Sequence, residues 1–445
     1  LLEKLFDIRE GELFRALSMQ LNIFLIISTL LIIKPTVSSL FLSAYGVDQL
    51  PFAYILVAVV AGLVTLSYSQ LVRSFPFRHT LMLTMLSSVL ILLGFGMALQ
   101  LGFWMDGLLY LFYIWVAIFA VLTTSQFWLL ANQVFNVREI KRLVGFIGAG
   151  AIAGGIFGGY LTSWLMQYLD SVQLPFVAAL LMVACLLLNY VILYWKKPEV
   201  PADTAENPIK AKRKRQQPLR LILRSGHLSY LAAIVFVSVL VAKLVDYQFS
   251  ASASRLISEA DALTAFFGFW FSTFNVAALV LQLLVTRFVL NRFGIGISLL
   301  LLPVAIGLSA ICLMLAPELL AAVIVMKMAD GSLKQSVNKS AMELLIMPLS
   351  MRVKNQTKTF IDVFVDSLAT GVSGLLLIFV VRGLNLSSVA ISLIILALSV
   401  LWLLLVLNVR KEYLYSFRRK ILNGVKPNAK QKSSIRKPVI NQEIE

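Results

Sequence analysis

The chain has 445 residues, 59% of them hydrophobic and only 14% charged, with a mean hydropathy of +0.87. A soluble domain carries about a quarter charged residues, so that class is excluded. Long continuous apolar runs exclude a barrel of short alternating strands. The formal charge of +17 would suggest nucleic acid in a soluble protein; here the basic residues gather in loops, so no nucleic-acid partner is expected.

Residues 1–16 (LLEKLFDIREGELFRA) are of mixed charge and read as a short amphipathic cytoplasmic segment rather than a signal peptide. Apolar runs long enough to cross a bilayer then recur at about 17–45, 50–72, 79–101, 107–135, 143–168 and 173–195. A basic linker over 196–225, containing KAKRKR, separates these from runs at about 226–251, 262–286, 293–315, 318–341, 355–381 and 386–409. A basic tail occupies 410–445. The linker, the tail, Arg73, Arg78, Arg138 and Arg142 fall on one side of the membrane, and Asp48, Asp106, Asp170 and Asp261 on the other. The positive-inside rule then places both termini in the cytoplasm of a multi-pass cell (inner) membrane protein, its basic loops against an anionic leaflet.

The halves repeat weakly. Arg73, Arg78 and Arg138 find Arg287, Arg292 and Arg352 at a common offset of 214 residues. An all-α polytopic protein with twelve transmembrane helices in two six-helix bundles (17–195 and 226–409) follows, in the major facilitator-like arrangement of parallel repeats.

Several charges remain within spans. They are Lys34, Lys243, Lys327, Lys334, Lys339 and Lys358, with Asp246, Asp330, Glu343, Asp362 and Asp366. A charge at the centre of a helix costs about 2.5–3.5 kcal/mol and marks a pathway or an internal pair. Lys327, Asp330 and Lys334 share a helix face, as do Lys358, Asp362 and Asp366; these ladders either neutralise one another or line a solute path. Lys34 has no partner in its own span. It either snorkels to the outer interface or faces a cavity, with Asp246 or a ligand as its partner, and an empty site would pair Asp246 with Lys34 or Lys243. Pro35 lacks a backbone donor, which predicts a helix break facing a water-filled cavity.

Residues 145–159 read GFIGAGAIAGGIFGG. Gly150, Gly154 and Gly158 stand at GxxxG spacing, as do Gly155 and Gly159, predicting close packing of the fifth span against a moving neighbour. No GK[ST] follows and no strand precedes, so this is not a phosphate loop. Cys185 and Cys312 lie in different halves and His79 and His227 do not cluster, so no disulfide, metal or cofactor is expected. No nucleophile, base and orienting group fall together, so the reading is not an enzyme.

Three stretches carry a resemblance. FWLLANQVFNVREIKRLVGFIGAG (127–150), LVDYQF (244–249) and KSAMELLIMPLS followed by KTFIDV (339–363) are similar to the fourth-to-fifth, seventh and tenth-to-eleventh span regions of the nucleotide transporter family, the ATP:ADP antiporters of plastids and intracellular bacteria. Asn132, Glu139 and Arg142 lie at matching positions, with Arg138 beside them. The resemblance implies exchange of nucleotides, with Lys34, Asp246 and Lys358 as important residues. Val37 and Ser38 stand where the family carries a basic–acidic pair, and residues 107–126 carry no charge. The expected function is alternating-access transport, by exchange, of a small anionic, phosphorylated solute such as a nucleotide. Its candidate contacts are Lys34, Asn132, Lys243, Asp246, Lys327, Lys358 and Asp362. Pro35, Arg138, Glu139, Arg142, Gly150, Gly154 and Gly158 are assigned to gating and packing. The alternatives are a proton-coupled carrier using the aspartates, and a non-transporting scaffold or sensor that kept the fold.

Overall fold

The computed structural model describes residues 12–74, 76–103, 105–195, 221–222, 225–317, 319–346, 357, 360–383 and 387–424. Among them there are helices and short connections and no strand. The first six helices are α1 (Leu13–Tyr45), α2 (Leu50–Ser74), α3 (Phe77–Gln100), α4 (Met105–Val134), α5 (Val137–Leu165) and α6 (Leu174–Trp195). The second set opens with α7 (Gly226–Leu256). Next, α8 begins as Ala260–Val280 and passes through a π-helical turn, Leu281–Val285. The continuing helix Thr286–Leu315 breaks at Gly294, whose φ of 73° is open to glycine alone at little cost, so α9 spans 295–315. Then come α10 (320–346, with a π turn at Lys334–Asn338), α11 (361–383, π-helical at both ends) and α12 (Ser388–Gly424).

Ten helical stretches are long and apolar enough to cross a membrane, one of them covering both α8 and α9. These ten stretches cover eleven of the twelve helices, α10 being the one not among them; each predicted span coincides with a helix, with two shifts at the ends. α1 starts at Leu13, so residues 13–16 belong to the first spanning helix instead of a separate segment. α12 runs on to Gly424, into the expected tail. KAKRKR lies outside the described residues. The outward faces carry exposed Leu83, Leu90, Leu180, Leu187 and Leu308, as expected where lipid is the solvent.

Helix α1 is the hub of the first bundle, packing on α4, α5 and α6. The predicted break at Pro35 does not occur: Leu13–Tyr45 is one helix with Pro35 buried inside it. Pro35 cannot donate to the Leu31 carbonyl four residues back. The Thr162 hydroxyl of α5 lies 3.3 Å from that carbonyl and 2.8 Å from its own Gly158 carbonyl. A threonine of the neighbouring helix therefore serves the acceptor that the proline leaves free, and the helix continues.

The two glycine ladders of α5 face different partners. A Cβ at Gly150, Gly154 or Gly158 would meet the backbone carbonyls of Gln20, Phe24 and Ser28 on α1. The Ser28 hydroxyl donates to the Gly154 carbonyl at 3.2 Å across this seam, and the Gln20 amide to the Phe146 carbonyl at 3.1 Å. These three glycines thus fasten α5 inside its own bundle, correcting the expectation of a moving neighbour. Gly155 and Gly159 meet α8 of the other bundle: a Cβ at Gly159 would lie 2.6 Å from the Gly268 carbonyl, and one at Gly155 3.0 Å from the Asn275 amide.

Further contacts join the bundles toward the end opposite the linker. Ser171, in the turn before α6, takes its backbone N–H to Asp261 Oδ1 at 2.7 Å, and its hydroxyl bonds Asp261 and, at 2.8 Å, Thr264 of α8. Ser39 of α1 bonds the same Thr264 hydroxyl. A Cβ at Gly374 of α11 would lie 2.6 Å from the Pro51 carbonyl of α2. Gly159→Leu is expected to part α5 from α8 at this end. In a chain with Cys312 replaced by serine, it should raise labelling of a Ser39→Cys variant by an impermeant thiol reagent severalfold. Unchanged labelling would mean that this seam does not hold the bundles together.

Candidate functional site at the centre of the helices

Charged side chains of α1, α7 and α10 converge between the bundles, joined by aromatic rings from α2 and α8. Lys327 Nζ is 2.7 Å from Asp246 Oδ1 and 3.7 Å from Asp330 Oδ2. The Tyr54 hydroxyl donates to Asp246 Oδ2 at 3.3 Å. Asp246 also lies within electrostatic reach of Lys34 and Lys243. Tyr54 is buried, at 1% exposure, so its hydroxyl is held against the carboxylate by packing.

Lys34 and Lys243 are placed differently from Lys327. Lys34 Nζ sits 5.0 Å from the centroid of the Phe271 ring of α8, and Lys243 Nζ 4.8 Å from that of Tyr54. Among the described residues neither forms an ion pair with a carboxylate. Lys34 keeps exposed surface although its helix is flanked by α4, α5, α6 and α8. That surface opens to the space between helices, so Lys34 faces inward and does not snorkel. Asp246 pairs with Lys327 here, and neither of its two expected partners, Lys34 or Lys243, is its ion-pair partner.

Of the two predicted ladders, Lys327–Asp330 forms, and Asp330 makes no ion pair with Lys334 among the described residues. The Lys334 N–H still bonds the Asp330 carbonyl four residues back, so the two stand at ordinary helical spacing, and the chain winds as a π turn only from Lys334 on to Asn338. Lys358 lies outside the described residues. Asp362 lies in the π turn Ile361–Val365 that opens α11, with its side chain outside the described residues. Asp366 is exposed.

The family-like motif of α4 and α5 has structural work. Phe127 and Ala131 are buried in the core, whereas Asn132 is exposed near the end of α4. Asn136 caps α5, accepting from the backbone N–H groups of Arg138 (3.1 Å) and Glu139 (3.0 Å), and Glu139 returns a carboxylate to the Asn136 N–H at 2.9 Å. This is a complete capping box. Arg142 pairs with Glu12 just before α1. Glu139 and Arg142 thus set the start of α5 and tie it to α1. Sequence reasoning missed Tyr54, Phe271 and Thr162; the freed Leu31 carbonyl was the one signal that a hydroxyl donor had to be nearby.

Two helical bundles around a charged centre give this multi-pass membrane protein a major facilitator-like architecture. The family model described as the Major Facilitator Superfamily matches residues 129–346. The chain is similar to ADP,ATP carrier protein 1, chloroplastic, of Arabidopsis thaliana, with 24% identity over 75% of this chain and 58% of the relative. It is likewise similar to ADP,ATP carrier protein 1 of Chlamydia muridarum, with 24% identity over 55% of this chain and 53% of the relative. These matches bear out the resemblance to the nucleotide transporter family, and the chain spans a little over half the length of the curated relatives it matches. Among solved structures, a bacterial homologue of the iron transporter ferroportin in an inward-facing state superposes with a TM-score of 0.63, 13% identity and coverage of 90% of this chain and 99% of that one. The nucleoside transporter NupG superposes with a TM-score of 0.60, 12% identity and coverage of 89% and 98%. At such identity the superpositions speak for the fold.

Proposed function

We propose that this chain is an alternating-access transporter that exchanges a small anionic, phosphorylated solute across the membrane. The observation that carries this reading is the convergence of Lys34, Lys243 and Lys327 between two bundles that are packed together at one end. Ammonium groups held in a low-dielectric site attract an anion far more strongly than the same groups in water. The similarity to ADP,ATP carriers supports a phosphorylated solute. In this reading 17–195 and 226–409 rock against each other, and the linker (196–225) and tail (410–445) lie on the cytoplasmic side of the cell membrane against anionic lipid.

Purified protein in liposomes preloaded with nucleotides and phosphate esters is expected to exchange internal for external solute, with rates insensitive to a protonophore. Lys34→Ala should weaken the apparent affinity about tenfold, the loss of one hydrogen bond between charged groups. Absence of exchange across the whole panel would overturn the reading, and abolition by the protonophore would favour the proton-coupled alternative.

A further inference from the structure

The three central lysines are not equivalent. Lys327 is committed to two carboxylates: Asp246 touches it at 2.7 Å and Asp330 at 3.7 Å. Asp246 is itself held in place by the Tyr54 hydroxyl at 3.3 Å. Lys34 and Lys243 form no ion pair with a carboxylate among the described residues and lie over the rings of Phe271 and Tyr54, at 5.0 and 4.8 Å from the centroids. A ring face is a weaker partner than a carboxylate and is readily exchanged for an anion. Two ammonium groups are therefore available, while Asp246 and Asp330 remain beside them as fixed negative charge.

From this arrangement we infer that the site is matched to a solute carrying a single phosphomonoester group, bound between Lys34 and Lys243, and disfavours nucleoside diphosphates and triphosphates. Lys34, Lys243 and Lys327 against Asp246 and Asp330 leave the described centre one net positive charge, which a phosphomonoester, with about −1.5 to −2 charges at neutral pH, already uses up. Each further phosphate brings negative charge that must either face Asp246 and Asp330 unpaired or pull Lys327 away from them. Both are costly where water is scarce. The neighbouring side chains add no further cation among the described residues: Thr36 and Ser39 on α1 are occupied with carbonyls of their own helix, and the positions around Phe271 on α8 are aromatic or small. The inference rests on the transporter reading above and narrows its substrate class.

The test is binding of AMP, ADP, ATP and ribose 5-phosphate to the purified full chain in nanodiscs, by calorimetry at fixed salt. AMP or ribose 5-phosphate should bind at least about tenfold more tightly than ADP and ATP, and Lys34→Gln and Lys243→Gln should each weaken it about tenfold. Lys34→Arg and Lys243→Arg should retain much of the binding, which separates lost charge from misfolding. ADP or ATP binding as tightly as the monophosphates would overturn the charge count and leave the transporter reading standing. Tight monophosphate binding that neither glutamine variant weakens would place the site elsewhere. No binding by any of the four would sink both.

Discussion

Asp246→Ala is expected to abolish exchange and to lower the stability of the purified protein by about 3 kcal/mol, the lower end of the range for breaking a buried ion pair. The lower end applies because the Asp246 side chain is 23% exposed and that of Lys327 13%. Without Asp246, Lys327 keeps only Asp330 at 3.7 Å, and the Tyr54 hydroxyl loses its acceptor. Lys34 and Lys243 also lose a carboxylate within electrostatic reach of both. The Asp246→Ala/Lys327→Ala double variant should recover part of the lost stability, because it removes the Lys327 ammonium group that lost its partner although it leaves Asp330 unpaired, while exchange stays absent. Thermal unfolding in detergent and liposome exchange, measured on both variants, separate the two roles. If the double variant were no more stable than the single one, the pair would not be the source of the loss.

Gly154→Leu is expected to prevent recovery of a monodisperse protein, and Gly154→Ala to cost about 2 kcal/mol, in the range for overpacked interiors. A Cβ at Gly154 would fall on the Phe24 carbonyl and 3.0 Å from the Phe24 Cα, and backbone cannot move aside as a flexible side chain can. The Ser28–Gly154 hydrogen bond depends on the same approach. Gly148→Ala is the control. Nothing lies within 4 Å of a Cβ there, so alanine should be neutral, or stabilising by up to about 1 kcal/mol through helix propensity. Equal effects at the two positions, read from thermal unfolding in a common detergent, would show that helix propensity and not close packing governs α5.

The twin glycine ladders explain how one helix can be fixed on one side and join the other bundle on its opposite side. Gly150, Gly154 and Gly158 hold α5 backbone to backbone against α1, so these two helices form one packed unit. Gly155 and Gly159 form a second seam with α8, across the boundary between bundles. Small residues suit such a seam, since backbones can meet closely without interlocking side chains that would resist parting.

What the sequence by itself determined was the architecture. Apolar length does not depend on folding partners, so the twelve helices could be read directly, as could the charges of α1, α7 and α10. The GxxxG spacing announced close packing for the same reason: a missing Cβ is a local property. Only the tertiary structure decided which groups pair. Asp246 met Lys327, eighty-one residues away, in preference to Lys243 one helical turn away on its own helix, because the choice depends on how α7 and α10 are rotated toward each other. It likewise decided that Pro35 causes no break, since the donor that serves Leu31 comes from α5. The aromatic rings of Tyr54 and Phe271 were invisible among many others in the chain, and only the tertiary structure sets them against Lys243 and Lys34.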